Sequence, residues 1–202
     1  MSLALFLLSC LANADRPLPF YDAKDMTPFW SSEAEVHAQP ATVGAFKAVD
    51  QEHGEISEAG LAQQISLVNF FFTECGSLCP TMMHTLQRFQ AQESTEPFTL
   101  YSFSVKPEHD QPSQLKAYAH AQHLDLKRWK LLTGTRDEIY RVGREMFKAD
   151  GSVGPAKQAS KFIHTRNVYL VDRQRRIRGI YDSGSDAAMQ LLASDIKRLV
   201  KE

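Results

Sequence analysis

A pair of cysteines between a strong strand pattern and a helix start constrains this chain more than any other feature. Residues 65–72 are almost continuously apolar and aromatic, which is typical of a central strand covered on both faces. Cys75 and Cys79 follow at once. Pro80 then stands where a first helical turn tolerates proline, because the missing amide hydrogen would have no partner there. The helix predicted after it covers 81–92, so the cysteine loop is expected between a buried strand and a helix N-terminus.

The rest of the chain alternates between strand and helix patterns. Strands are predicted at 43–49, 98–105, 129–132, 162–171 and 177–181, and helices after residues 112, 135 and 186. Alternating strands and helices indicate a parallel or mixed sheet with helices on both faces. Together with the cysteine loop and a closing hairpin, this order predicts an α/β, thioredoxin-like three-layer fold over residues 41–202.

The first 14 residues resemble an export signal. A short apolar run ends in Leu-Leu-Ser-Cys, a pattern similar to a bacterial lipobox with Cys10 as the lipidated residue, and Ala12-Asn13-Ala14 fits ordinary signal peptidase. The run is too short to span a bilayer permanently. No Lys or Arg precedes it, which fits neither signal, and a buried strand is the structural alternative. We predict an exported, membrane-anchored lipoprotein that faces the periplasm or the cell exterior. A soluble periplasmic form cleaved at Ala14 is the alternative.

Residues 15–40 are interrupted by four prolines and are read as a tether leading to an irregular arm. The aromatic side chains of Phe20, Tyr21, Phe29 and Trp30 are expected to pack this arm on the domain.

The charge balance excludes one class of partner, since 23 Lys and Arg against 24 Asp and Glu give a net charge of −1. Nucleic-acid binding normally needs a basic excess on one face, so no nucleic-acid partner is expected.

The two cysteines need a chemical role. A disulfide between them would close too short a loop to brace the fold, although a structural disulfide remains the alternative. The helix N-terminus is expected to lower the pKa of Cys79 and favour its thiolate. Three residues separate the pair, whereas redox thioredoxins have two. The larger loop can splay two sulfurs around an ion, and thiolates favour Cu(I). A closed zinc site usually needs four ligands, and the chain has no second cysteine pair.

A third ligand is expected from a distant segment. His164 stands near the start of the strand predicted over 162–171, and in a thioredoxin-like sheet the loop entering that strand faces the cysteine loop. Its imidazole would complete a sulfur–sulfur–nitrogen site and would also suit Cu(II). Taken alone, His164 is more readily interpreted as a hydrogen-bonded structural histidine.

Several blocks of the sequence resemble the Sco/SenC family. They are FFFTECGSLCPTM (70–82), SVKPEHD (104–110), LTG (132–134), His164 and YLVD (169–172), and they stand in the family's order. The similarity covers the chain from about residue 40 to its C-terminus. Members are copper-binding thioredoxin-fold proteins that assist assembly of the binuclear CuA centre of cytochrome c oxidase.

The resemblance implies a copper metallochaperone. Cys75, Cys79 and His164 match the family's three copper ligands. The implied partners are the cytochrome c oxidase subunit that carries the CuA site and another copper carrier. Lys106 departs from the acidic residue found in many members, and this reversed charge puts partner docking in doubt.

A thiol–disulfide reductase is the alternative function. Cys75 or Cys79 would attack a disulfide of the partner, the other cysteine would resolve the mixed disulfide, and His164 would be dispensable. A thioredoxin-like peroxidase is a weaker third option.

Other potential metal donors have simpler interpretations. Met82 and Met83 are predicted to be core residues, and His84 is expected to be solvated. His120 and His123 are three residues apart on a predicted helix and are expected to be a solvated pair, since no acidic or sulfur ligand accompanies them. Glu108, His109 and Asp110 are read as a helix-start loop with a second use in meeting a partner protein.

Overall fold

A seven-stranded mixed sheet forms the centre of the protein. The computed structural model describes residues 17–30, 38–76, 78–150, 163 and 165–202, apart from the side chain of Leu78. Two short strands, β1 (Phe20–Tyr21) and β2 (Pro28–Phe29), form a separate pair in the N-terminal arm. The strands of the central sheet are β3 (Lys47–Asp50), β4 (Glu55–Ser57), β5 (Ile65–Phe71), β6 (Phe98–Ser104), β7 (Trp129–Thr133), β8 (Asn167–Val171) and β9 (Ile177–Asp182). The order across the central sheet is β4-β3-β7-β6-β5-β8-β9.

The middle of the sheet is parallel and its flanks are antiparallel. β5 pairs with β6 and β6 pairs with β7 in parallel, whereas β8 and β9 on one side and β3 and β4 on the other run antiparallel to their neighbours. All seven residues of β5 are buried. The prediction of a central strand covered on both faces is therefore confirmed.

Helices cover both faces of the sheet. They are α1 (Leu78–Gln92), α2 (Pro112–Ala121), α3 (Arg136–Arg141) and α4 (Asp186–Lys201), and a π-helical turn, Val142–Met146, continues α3. Apolar side chains of α1, α2 and α4 form one core with the sheet, while α3 and the π-helical turn contribute to the core on the opposite face. The predicted thioredoxin-like three-layer fold is confirmed.

Hydroxyl side chains explain where two of the helices begin. The Oγ1 atom of Thr135 accepts a hydrogen bond from the amide of Glu138 at the start of α3, and Ser185 caps the amide of Ala188 at the start of α4 in the same way. Each bond satisfies an amide that has no partner within its helix.

Several element boundaries differ from the sequence prediction, and two of them bear on the site. α1 begins at Leu78, so Cys79 already lies in its first turn, and Pro80 is tolerated because the first four amides of a helix lack internal partners. β8 begins at Asn167, later than the predicted strand over 162–171.

The N-terminal arm is more regular than predicted. β1 and β2 pair antiparallel, with Phe20 opposite Phe29. The arm packs on β9, where the guanidinium group of Arg178 lies 4.4 Å from the centre of the Phe20 ring. The predicted signal segment, residues 1–14, lies outside the described residues. Within the described ranges, no helix combines the length and apolar character needed to cross a membrane.

Candidate metal centre

The cysteine loop connects β5 to α1 at one edge of the sheet. Cys75 lies four residues beyond the end of β5, and Cys79 lies in the first turn of α1. Neither forms a disulfide, and 7% of Cys75 and 4% of Cys79 is exposed. The backbone amide of Cys79 donates to Cys75 Sγ across 3.4 Å. The loop therefore folds back on itself and directs the first sulfur toward the helix N-terminus.

Burial controls the acidity of Cys79. Burial, followed by the hydrogen bond with the Cys75 side chain, raises the pKa of this thiol from 9.0 to about 12. The expectation that the helix N-terminus lowers this pKa is wrong, because desolvation of the thiolate outweighs the favourable backbone contacts. Cys79 is thus protonated at neutral pH in the metal-free protein.

The surroundings of the thiols are apolar and aromatic. Cys75 and Cys79 belong to the same core cluster as Phe71, and the Tyr118 ring lies 5.6 Å from the Phe71 ring. Burial raises the pKa of Tyr118 to about 12, and the nearby charges of ionised Cys79 and Cys75 act in the same direction. Tyr118 therefore lies close enough to the two cysteines for their ionisation to affect its pKa.

Met82 and Met83 are core residues, as predicted. They are 1% and 2% exposed. The side-chain amide of Asn69 donates to Met82 Sδ at 3.7 Å and to Met83 Sδ at 3.8 Å. Its oxygen accepts from Ser102 Oγ at 2.6 Å, and Ser102 Oγ accepts from the indole N–H of Trp129 at 2.8 Å. A buried polar chain thus underlies the first turns of α1 and engages both thioethers.

Sequence reasoning missed the structural role of Asp110, which it assigned to a helix start. Asp110 is 0% exposed. Its carboxylate accepts hydrogen bonds from the amide and the hydroxyl of Thr73 and from the hydroxyl of Ser104. The helix N-cap is Gln111. Asp110 therefore fastens the base of the cysteine loop to the end of β6. The sequence signal for this contact is weak, since it consists only of an acidic residue and two hydroxyl-bearing residues, Thr73 and Ser104.

A charged rim lies beside the cysteine loop. His109 Nε2 lies 3.2 Å from Glu74 Oε1, and Lys106 Nζ lies 3.5 Å from Glu74 Oε2. Lys106 Nζ also lies 4.6 Å from the centre of the Phe72 ring. The charge of Lys106 is thus matched by Glu74, the residue directly before Cys75. The rim is partly exposed.

The third predicted ligand, His164, lies outside the described residues, so its place at the site stays a prediction. Its neighbours in the chain are described. Ile163 is 2% exposed, and Thr165 Oγ1 accepts a hydrogen bond from the amide of Asn167, the first residue of β8. Because β8 runs antiparallel to β5, its start lies at the sheet edge where β5 ends. That is the edge from which the cysteine loop leaves.

Three other histidines, His84, His120 and His123, lie on the surface. His84 on α1 is exposed, as predicted. His120 lies at the end of α2, while His123 lies beyond the helix with a φ of 53°, so the two do not share a helical face. Both are exposed. Across the described ranges, no group of three His, Cys, Asp or Glu side chains could hold a metal ion.

Comparisons with known proteins point to one family. A family model described as SCO1/SenC matches residues 34–201. The SCO1 protein homolog of Bacillus subtilis (strain 168) is 31% identical over 159 residues, which cover 77% of this chain and 81% of that protein.

Solved structures agree with this match. BsSco, described as a member of the Sco family of cytochrome c oxidase assembly proteins with a disulfide switch, is 27% identical. It has a TM-score of 0.69 and covers 80% of this chain and 95% of its own. Bradyrhizobium japonicum ScoI with copper bound is 25% identical, has a TM-score of 0.60, and covers 79% of this chain and 99% of its own.

Proposed function

The chain belongs to the SCO1/SenC family, and on that basis we propose that it is a copper metallochaperone. Copper would bind through Cys75, Cys79 and His164, and the protein would assist assembly of the CuA centre of cytochrome c oxidase. The observation that carries this proposal is the pair of buried, unbridged thiols at the sheet edge where β8 begins. The copper-bound ScoI and the oxidase-assembly family of BsSco support it by similarity.

The donor set fits copper. Two thiols in an apolar and aromatic environment are soft ligands, which Cu(I) prefers. An added imidazole would allow the site to bind Cu(II) as well. The raised pKa of Cys79 means that binding must displace a proton, so the thiol stays neutral until a soft cation replaces that proton. An enclosed neutral thiol is a poor ligand for hard cations, which require oxygen donors.

The surrounding residues hold the site, and a charged rim beside it offers a surface to a partner. The amide of Cys79 orients Cys75 Sγ, and Asp110 holds the base of the loop through Thr73. Beside the loop, the exposed rim of Glu74, Lys106 and His109 offers both signs of charge. A partner docked there would take the copper by exchanging its own cysteine sulfurs for those of this protein.

The reductase alternative makes opposite demands on the cysteines. Attack on a disulfide needs an accessible thiolate with a pKa near the ambient pH. Here both cysteine residues are more than nine-tenths buried and the pKa of Cys79 is about 12. The metal-binding function is therefore the better match to this site.

The cellular location is proposed from sequence alone. We place the protein outside the cytoplasm, anchored by a lipid on Cys10, with cleavage after Ala14 as the alternative. Labelling of growing cells with radioactive palmitate tests it. The wild type should take up label and Cys10→Ala should not. A wild type that stays unlabelled and begins at residue 15 would establish the cleaved form.

Copper loading tests the ligand set. The reduced protein is loaded with Cu(I) and the affinity is measured by competition with a chelator. We expect one copper per chain, loss of binding in Cys75→Ala/Cys79→Ala, and about 10-fold or greater weakening in His164→Ala. The exposed His84→Ala is the matched control and should bind like the wild type. If His164→Ala holds copper as well as the wild type while disulfide reduction continues, the reductase function replaces this proposal.

A further inference from the structure

A partly apolar cleft lies between the N-terminal arm and α4. It has a volume of about 430 Å³, and its walls include Pro17, Tyr21, Trp30, Ile180, Leu191 and Arg198. Among the residues that the structure describes, Leu191 is the one large apolar side chain that is exposed, with 54% of its surface open. Tyr21, Trp30 and Ile180 are partly exposed beside it. Single apolar residues are common on protein surfaces, but aromatic and aliphatic side chains gathered along one cleft form a patch that can bind.

The cleft is preformed, because the arm is fastened to β9. The guanidinium group of Arg178 is buried and donates to the carbonyl oxygens of Leu18 at 2.9 Å and Pro19 at 3.0 Å. The indole N–H of Trp30 donates to the carbonyl oxygen of Pro17 at 3.0 Å. Trp30 is thus held directly beside the residue at which the described part of the arm begins.

The charges along the cleft suit a lipid surface. Within the described ranges, Asp195 is the only acidic residue on its walls, and it is buried. The Asp195 carboxylate accepts hydrogen bonds from the Tyr181 hydroxyl and from the Arg198 guanidinium group, each at 2.8 Å. The side chain of Arg198 stays partly exposed. Aromatic and aliphatic side chains beside an arginine are the composition that a membrane–water interface favours.

The proposed lipid anchor brings this cleft close to a bilayer. Pro17 follows Cys10 by seven residues, and a chain of that length spans at most about 25 Å when fully extended. A short tether makes the second contact intramolecular and raises the effective concentration of the bilayer at the cleft. A small apolar patch is therefore enough to keep the domain on the lipid surface.

We infer that the cleft between the N-terminal arm and α4 is a membrane-contacting face, with Trp30 and Leu191 inserted at the interface of a phospholipid bilayer. The inference rests on the lipid-anchored form of the proposed function, because the anchor supplies the proximity. Trp30 and Leu191 contribute the apolar contact, and Arg198 faces the phosphate groups of the lipids.

This contact would also orient the cysteine loop. β9 pairs antiparallel with β8, and β8 pairs antiparallel with β5, so β9 runs parallel to β5. Arg178, which fastens the arm, is the second residue of β9. It therefore lies toward the edge of the sheet at which β5 begins, whereas the cysteine loop leaves the edge at which β5 ends. A domain resting on the arm turns the cysteine loop away from the bilayer, toward a partner protein.

The two tryptophans of the chain make the contact measurable. Trp129 is fully buried, whereas Trp30 lines the cleft. The full chain, purified with its lipid, is reconstituted on phosphatidylcholine vesicles with and without bromine on the acyl chains. Bromine quenches tryptophan fluorescence only at short range. We expect brominated lipid to quench the wild type. Trp30→Phe keeps Trp129 as its fluorophore and should lose this quenching.

Substitutions on α4 test the other half of the contact. Leu191→Glu should lower the ratio of lipid-bound to free cleft by about 10-fold, whereas Leu191→Phe should keep it. Gln190→Glu places the same charge at the exposed neighbouring position outside the cleft and is the matched control, which should be quenched like the wild type. All three variants should float with the vesicles and load copper like the wild type, because neither the lipid nor the cysteines change.

Different results would overturn the membrane face and the anchor. A wild type that floats with the vesicles without quenching, or a Leu191→Glu variant quenched as strongly as the wild type, would reject the membrane face and leave the anchor in place. Trp30 emission that shifts with protein concentration in the absence of lipid, again without quenching by vesicles, would assign the cleft to a second copy of the chain. A wild type that carries no lipid and does not float would reject the anchor and this inference with it, while copper loading decides the ligand set separately.

Discussion

The carboxylate of Asp110 accepts two hydrogen bonds from Thr73, one from its amide at 3.0 Å and one from its hydroxyl at 2.5 Å. Thr73 stands two residues before Cys75, while Asp110 follows β6. The end of β5 and the start of the cysteine loop are thus tied to the neighbouring strand by a fully buried acidic side chain.

Asp110→Asn should loosen this tie. An amide keeps one acceptor oxygen but turns an N–H group toward donors, so at least one buried hydrogen bond is lost. We expect the free energy of unfolding to fall by about 1–3 kcal/mol, measured by urea denaturation. Asp137→Asn, at an exposed position in the first turn of α3, should change it by less than about 0.5 kcal/mol. Equal effects of the two substitutions would contradict the role of Asp110.

Cys79 should react slowly with alkylating reagents in the metal-free protein. With a pKa of about 12, only about one part in ten thousand is thiolate at pH 8. In a Cys75→Ser variant, iodoacetamide modification followed by mass spectrometry should be at least about 100-fold slower than in urea. The rate should rise about tenfold per pH unit through pH 10. A plateau below pH 9 would mean that the helix N-terminus controls the acidity after all.

Arg178 should hold the N-terminal arm in place. Its guanidinium group is 2% exposed and donates to the carbonyl oxygens of Leu18 and Pro19 and to the carboxylates of Asp172 and Glu202. Arg178→Met strands these acceptors and should destabilise the protein by about 3 kcal/mol in urea denaturation.

The same substitution should also free the arm for proteolysis. Trypsin cleavage after Lys24, in the exposed turn between β1 and β2, should become faster than in the wild type. The exposed Arg88→Met on α1 serves as the control and should change neither stability nor cleavage. Unchanged cleavage in Arg178→Met would show that other contacts hold the arm.

His109 should add a pH-dependent contribution to stability. Its hydrogen bond to Asp110, and then the charge of Glu74, raise its pKa above the ordinary 6.5. The folded protein thus holds this proton to a higher pH than the unfolded chain, so the contribution is complete below about pH 6.5 and is lost as the pH rises through the folded-state value. The difference in unfolding free energy between wild type and His109→Gln should shrink from pH 5.5 to 8.5. A difference that grows over this range would contradict the assignment.

Local patterns determined most of the fold and the position of the thiols. The continuous apolar run before Cys75 predicted β5 correctly, because a strand covered on both faces needs apolar residues at every position. Likewise Thr135 and Asp186 marked real helix starts. Such signals are read from neighbouring residues, so the sequence alone carries them.

Only the tertiary structure decided the chemistry of the site. The pKa of Cys79 follows from its burial in a core built from several elements, and this burial reversed the expectation from the helix N-terminus. The tie between Asp110 and Thr73 spans 37 residues. Burial and close approach are properties of packing, so no local pattern in this sequence could have supplied them.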